Sequence, residues 1–506
     1  IYHITLSFKV LFFSYISIVI YSLIFLSLIE KKIDVRVAKI FLLTFVCFEM
    51  IITNHETVNK RNNISNNQVA NNYYSDGTSQ AVKLINKDDE TYFRINKDYL
   101  SVYLNDALAQ DYNGTNSYSS LNTNSYTNFL ETIGLFPSKI VMSTGNYLYI
   151  PSDDFISNTL LGVKYILSNQ DGVRPFGYHK LSNFDDINIY KNDNYLSFGY
   201  TYFNKLNKNE FMKLNEIERK MALLSGFYYT DDNVEDTNNY IDVKDIKKIL
   251  YTPEIRLLGR SGILPKLIEN CKINPNEKGA NIFPYTNDPI ISFHLEKPIE
   301  NPNGIILTFK LKTNKNDIME IFWDDSDHAA YSYKSGNYAK VSLLPGENEY
   351  AIGINSNKIK NIRIDPTINV ESVEISDMAI NPQLANKYTN EINILNNVSL
   401  KKIQFKHNIL SGEVNNSTGK EGMMCIPFGY SKAWILKVND NYEEIDNING
   451  GLIGFKLPVG YCKIELTYRP VTFNIGLIIS VISTVILILS ILINNYISFK
   501  RKEPIK

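Results

Sequence analysis

The stretch GIILTFKLKT, Gly304 to Thr313, puts Ile305, Leu307, Phe309 and Leu311 at every second position, with Thr308, Lys310 and Lys312 between them. A period of two predicts a strand with one buried and one wet face. The same alternation flanks it. ISFHLEK (291–297) aligns Ile291, Phe293 and Leu295, and IMEIFWDD, AKVSLLPG, YAIGIN, NIRIDP and VESVEISDMAI follow at regular spacing. Short alternating strands separated by Pro, Gly and Asn predict a β-sandwich of the jelly-roll kind over residues 284–382.

Outward from that module the pattern changes. Residues 398–470 predict a second β-sandwich, in which Trp434, Leu436 and Val438 alternate, as do Cys462, Ile464, Leu466 and Tyr468. Residues 78–283 mix both periods. TSQAVKLINKDD, YTNFLETIGL and NEFMKLNEIERKMALLSGF repeat apolar residues at three and four, whereas TYFRINK and LLGVKYILSN read as strands. An α+β domain is expected there. The Asn-rich stretch 54–77 reads as a polar tether.

Three apolar segments predict transmembrane helices. Val10–Ile29 and Ile475–Ile493 are free of charge, and each spans roughly 30 Å as a helix. Ile40–Thr53 is shorter and holds Glu49, whose carboxylate can reach water near the bilayer boundary. Lys31, Lys32, Arg36 and Lys39 follow the first segment, and Lys500, Arg501, Lys502 and Lys506 follow the last. The positive-inside rule then places 30–39 and 495–506 in the cytoplasm and about 54–470 outside, in a multi-pass protein of the cell membrane. The expected division is thus 1–53 for two membrane helices and their link, 54–77, 78–283, 284–382, 398–470, 471–494 for the last helix, and 495–506 for a basic tail.

With a net charge of -1 for 506 residues and basic ends, the middle of the chain carries about -6. That excludes nucleic acid as a natural partner, since phosphate contacts need a basic surface. The six histidines form no HExxH pair, and no GxSxG elbow or Walker loop is present, so no metal site or cofactor is expected in this chain. Cys425 and Cys462 either pair or stand as two reduced core thiols.

The densest polar cluster is FWDDSDHAAYS. Trp323 with Asp324 and Asp325 has the chemistry of a glycan contact, a ring face beside hydrogen-bond acceptors. A core tryptophan followed by solvated acids is the simpler reading. Asp153-Asp154, Asp185-Asp186 and Asp231-Asp232 are neighbours in sequence, which is poor support for a catalytic carboxylate pair. Glu49 is either a boundary acid or a functional group of a larger helix bundle.

In combination, FEMIITN, YNGTNSYSSLNTNSYTNFLETIGL, LLGVKYILSN, NYLSFGYTYF, AWILKVND, GLIGFKLPVGYCKIELTYRP and FNIGLIIS resemble the C-terminal half of the YfhO-type bacterial membrane proteins. These are similar to lipid-sugar-dependent glycosyltransferases of the GT-C class. The resemblance implies further membrane helices before residue 1, with the catalytic acid among them, so that no catalytic residue carries over and this portion is inactive alone. It also implies a polyprenyl-phosphate-sugar donor and a cell-wall glycopolymer acceptor on the outer face, alongside the lipid bilayer. The competing expectation is a membrane-anchored, non-catalytic protein that binds glycans or scaffolds the envelope.

Overall fold

The strand Ile305–Thr313 runs between two antiparallel partners, Gly346–Ile354 and Val373–Asn381. A computed structural model describes residues 8–59, 76–101, 104–135, 146–170, 175–231, 240–251, 255–326, 331–333 and 336–500. In it the sheet around Ile305–Thr313 continues through Gly279–Pro284 and Cys271–Pro275, with Ile255–Arg256 also on Val373–Asn381. The facing sheet runs Tyr338–Leu343, Asp317–Asp324, Lys358–Asp365, Ile290–Glu300, Leu267–Glu269. Leu307, Phe309 and Leu311 meet Phe293, Met319, Ile321, Ile362 and Ile364 in one buried core. The alternation therefore does what a sandwich requires. Its boundary differs from the expected 284: strands from Ile255 onward already belong to it, because these short segments gain their partners only across the sheet and send Cys271, Ala280 and Ile282 into its core.

The α+β region holds a four-stranded sheet ordered Arg94–Lys97, Val163–Ser168, Ile187–Asn192, Tyr178–Phe184, of which the first pair is parallel. Val163–Ser168 is buried along its whole length, as its continuous apolar run predicts. Helix Thr78–Asp88 covers one face through Ala81, Val82 and Ile85. The expected long helix at 209–227 is two, Lys208–Phe211 and Glu216–Ser225. Asn215 divides them by accepting from Glu218 N–H while the Glu218 carboxylate accepts from Asn215 N–H, a reciprocal cap that starts a new helix.

The second sandwich is not the self-contained 398–470 module expected. One sheet runs Lys401–Lys406, Ile409–Asn416, Gly460–Tyr468, Trp434–Val438, Asn441–Glu443. The other runs Asp446–Ile448, Leu452–Leu457, Gly422–Gly429, and is completed by Tyr200–Tyr202 from the α+β region. Between the sandwiches lies the helix Pro382–Asn397, which was not anticipated. Asn381 caps it by accepting from Leu384 N–H, and Pro382 occupies its first turn. Residues Asn72–Lys506 form one unit. Cys425 and Cys462 are buried and free.

A separate unit, Ile1–Asn71, contains the helices Phe8–Ile29 and Val35–Asn59. The second helix continues through Asn59, so the expected tether does not begin at 54; its residues 60–75 lie outside the described residues. The expected three membrane helices are not all matched in length and composition. Among the described residues one helix is long and apolar enough to cross a bilayer, Val471–Asn494 within Val471–Lys500. Tyr15–Ile29 is apolar but shorter, and Val35–Asn59 carries Arg36, Lys39 and Glu49. The basic tail from Arg501 lies outside the described residues.

Phe176 joins the α+β sheet to the first sandwich. Its ring lies against Gly304 and Gly353, where an added Cβ would come within 2.6 and 2.1 Å of it. Gly353→Ala should therefore cost about 1–3 kcal/mol through overpacking, measured by denaturant unfolding of the solubilised chain. Combined with Phe176→Ala, the two losses should add to less than their sum, because the clash is then gone.

Candidate functional site

The strand Asp317–Asp324 divides its side chains between two environments. Met319, Ile321 and Trp323 point into the sandwich core, and Trp323 is only 1% exposed. The tryptophan singled out as a sugar platform therefore has no accessible ring face. Glu320, Phe322 and Asp324 alternate to the outer face of the sheet. Asp324 closes the strand by accepting from the Ser326 amide at 2.7 Å and from its hydroxyl, and Asp325 is exposed beside it.

Around Phe322 the outer face gathers an aromatic and ionic cluster. Tyr338 packs on Phe322 with ring centres 5.0 Å apart, and Tyr333 meets the same ring edge-on at 5.2 Å. Both hydroxyls donate to one carboxylate: Tyr338 Oη to Glu320 Oε1 at 2.9 Å and Tyr333 Oη to Glu320 Oε2 at 3.0 Å. From the neighbouring strand, the Arg363 guanidinium lies 5.1 Å over the Phe322 ring. It forks onto Asp365 with Nε–Oδ1 2.8 Å and Nη2–Oδ2 2.6 Å, and reaches Asp288 at 3.4 Å. On the next strand His294 Nδ1 meets Asn361 Oδ1 at 2.8 Å, and Asn361 donates to the Ser326 carbonyl.

These contacts set the protonation of the site. Burial, then the Glu320 carboxylate, push the Tyr333 phenol up to about 12. The Tyr338 phenol moves up for the same reasons. The hydrogen bonds to Asp365 hold the Arg363 guanidinium charged more firmly still. Burial pushes the Asp365 carboxyl up against the pull of Arg363. The result is a preformed surface. Tyr333 keeps 53% of its area exposed, and the carboxylates of Glu320 and Asp288 retain lone pairs beyond the bonds they already accept, while the buried Asp365 serves Arg363. An exposed ring next to fixed acceptors can stack against a sugar ring and take its hydroxyl protons.

The other residues considered are structural or dispersed. Asp154 caps the helix Phe155–Leu160 and pairs with Lys220 at 2.5 Å. Asp185 sits in a left-handed turn with Asp186 after it, and Asp232 lies outside the described residues. The buried Lys97 has its three donors engaged by Ser101, Asp106 and Gln110 at 2.6, 2.9 and 3.2 Å, which makes it a packing element. Among the described residues no group of three His, Cys, Asp or Glu could hold a metal ion. In the helical unit, Tyr21 Oη donates to Glu49 Oε2 at 2.6 Å, so this acid has a partner on the first helix. The simpler reading of FWDDSD, a core tryptophan followed by solvated acids, is what the structure has, and the polar cluster lies on the opposite face of the same strand. Parity along Asp317–Asp324 was the available signal, because Trp323 shares its phase with Met319 and Ile321.

The model of the family described as bacterial membrane protein YfhO matches residues 2–480. The chain belongs to that family. It is 22% identical over 435 residues to the uncharacterized protein YfhO of Bacillus subtilis (strain 168), covering 84% of this chain and 45% of that one. The chain thus spans about half the length of this YfhO relative. Among solved structures, a variant of a family 29 carbohydrate-binding module matches 26% of the chain and 89% of its own, at 14% identity and a TM-score of 0.20. A carbohydrate-binding module of BiXyn10A matches 24% and 86%, at 12% identity and a TM-score of 0.17. Superpositions this slight carry no argument about ligand or fold.

Replacing Arg363 by Met should leave the mostly buried Asp365 carboxylate without its counter-charge, at a cost of about 2–4 kcal/mol at neutral pH. Without the guanidinium the folded-state pKa of Asp365 rises further above its unfolded value. Stability from such a group is present at low pH and lost as pH rises through the folded pKa. The deficit against the unsubstituted protein should therefore be smallest in acid and grow toward neutrality, as followed by unfolding at a series of pH values.

Proposed function

We propose that this chain is the external and C-terminal portion of a polytopic membrane glycosyltransferase, and that its first sandwich holds the acceptor glycan. In this reading the whole protein transfers a sugar from a polyprenyl-phosphate carrier to a cell-envelope polymer on the outer face. Phe8–Ile29, Val35–Asn59 and Val471–Lys500 all serve as membrane helices, with the body between them outside. Membership of the YfhO family supports the membrane setting, and the basic residues at 31–39 and after the last helix support the orientation.

One observation carries the glycan assignment. The outer face of the Asp317–Asp324 sheet presents Tyr333 beside Glu320, with Asp288 near the Arg363–Asp365 fork. That pairing of ring face and fixed acceptors suits a hydroxyl-rich ligand better than an apolar or polyanionic one. Acids outnumber bases on this face, and an anionic polymer would meet repulsion there. The chemistry of transfer belongs to the remainder of the longer protein, and the sandwich contributes acceptor binding.

The test is a point substitution, because removing 284–381 would strip strands from sheets that begin before 284. Tyr333→Ala in the full-length protein should raise the KM for acceptor roughly tenfold, the loss of about 1–1.5 kcal/mol of ring contact. The KM for the lipid-linked donor should not move. An unchanged acceptor KM would remove the sandwich from acceptor recognition. Retained glycan binding by a full-length protein with no transfer activity would favour the anchored binder.

A further inference from the structure

The strand Gly460–Tyr468 reaches the apolar helix Val471–Lys500 through two residues, Arg469 and Pro470. The end of the second sandwich that carries Tyr468 is therefore held within a few ångströms of wherever that helix enters the bilayer. Two neighbouring turns are tied to the same point. The Tyr468 amide donates to the Asn408 carbonyl at 2.9 Å, and Asn408 Nδ2 donates back to the Tyr468 carbonyl at 2.7 Å. The Arg469 amide donates to the Ala433 carbonyl at 2.7 Å. Lys406–Asn408, Ser431–Ala433 and Tyr468–Pro470 thus form one rim around the root of the helix.

The chemistry of this rim differs from the rest of the body. Lys406, Lys432 and Arg469 are exposed, and none has an acidic partner among the described residues. His407 is exposed beside them. No Asp or Glu occurs in 401–412, 428–438 or 466–476, although the middle of the chain is acidic overall. Phe405, Ile409 and Ile435 are exposed on the same rim, and Trp434 stacks on Phe428 behind it with ring centres 5.5 Å apart. Cations interleaved with apolar and aromatic side chains at the base of a membrane helix match a headgroup layer, phosphate outside and acyl carbon beneath.

We infer that the base of the second sandwich is a membrane-docking surface for anionic phospholipid headgroups, with Lys406, Lys432 and Arg469 as the phosphate contacts and Phe405, Ile409 and Ile435 as shallow insertions. The docking fixes the tilt of the external body over the bilayer, a restraint that the two-residue connection alone does not supply. It does not depend on sugar transfer or on which side of the membrane the body lies.

The test is hydrogen exchange of the full chain in lipid nanodiscs made of phosphatidylcholine alone or with phosphatidylglycerol. Segments 403–411 and 430–436 should exchange roughly tenfold or more slowly in the anionic discs at low salt, since each such cation contributes about fivefold to partitioning. High salt should erase the difference. The triple variant Lys406→Gln, Lys432→Gln, Arg469→Gln should lose it too, while exchange in Gly422–Gly429 stays unchanged and shows that the sandwich remains folded. Equal protection in both discs, or a difference that survives in the triple variant, would overturn the proposal. So would protection by a trace of polyprenyl phosphate in phosphatidylcholine discs at a level where phosphatidylglycerol has no effect.

Discussion

Three residues, Tyr200–Tyr202, carry the strand on which the body depends. They add an edge to Gly422–Gly429 across more than two hundred residues of chain. Both tyrosine rings are buried, and Tyr202 Oη donates to the Leu223 carbonyl at 2.6 Å. The Asn449 side chain reaches the same hydroxyl at 3.3 Å. Arg94 reinforces the junction by donating to the carbonyls of Leu161 and Pro427 at 2.8 and 2.9 Å, with its guanidinium over Phe198. A buried guanidinium is tolerable only where its donors are taken and an aromatic face covers it. Here it bonds the α+β sheet to the second sandwich.

That junction has a mechanical consequence. The second sandwich runs into the apolar helix Val471–Lys500, the α+β region shares its sheet, and Phe176 locks that region onto the first sandwich through Gly304 and Gly353. The helix Pro382–Asn397 fills the remaining gap with Leu384, Tyr388, Ile392 and Leu395. The aromatic and ionic face around Glu320 and Arg363 is thereby carried on a continuous body rather than on a loose string of modules. A ligand bound there sits at a set position relative to the root of Val471–Lys500, since both belong to one unit.

Much of this was legible beforehand. Alternation identified the strands of the first sandwich from Ile290 onward and two strands of the second, Trp434–Val438 and Gly460–Tyr468, and the continuous apolar run 160–169 identified a buried strand. The long apolar helix Val471–Lys500 followed from its uninterrupted apolar length. The helix at 382–397 was also written in the chain, as Asn381-Pro382 followed by apolar residues at intervals of three and four, but it lies between two stretches read as β. The Glu320–Arg363 cluster was half legible. Its strand stands out by the tryptophan, yet the parity that sends Trp323 into the core turns Glu320 and Phe322 to the other face of the sheet, where Phe322 is covered by Tyr333, Tyr338 and Arg363.

The sequence by itself determined periodicity, and with it which residues seek an apolar environment and which face water. It also determined one segment long and apolar enough to cross a bilayer, since free energy of transfer is roughly additive along a helix. Only the tertiary structure decided which strand edges meet. Backbone donors and acceptors are the same at every residue but proline, so nothing local marks Tyr200–Tyr202 as the partner of Gly422–Gly429 or places Ile255–Arg256 beside Val373–Asn381. Those pairings are selected by the packing of whole faces, and that selection assembles Tyr333, Glu320, Arg363 and Asp365 from separate segments into one cluster.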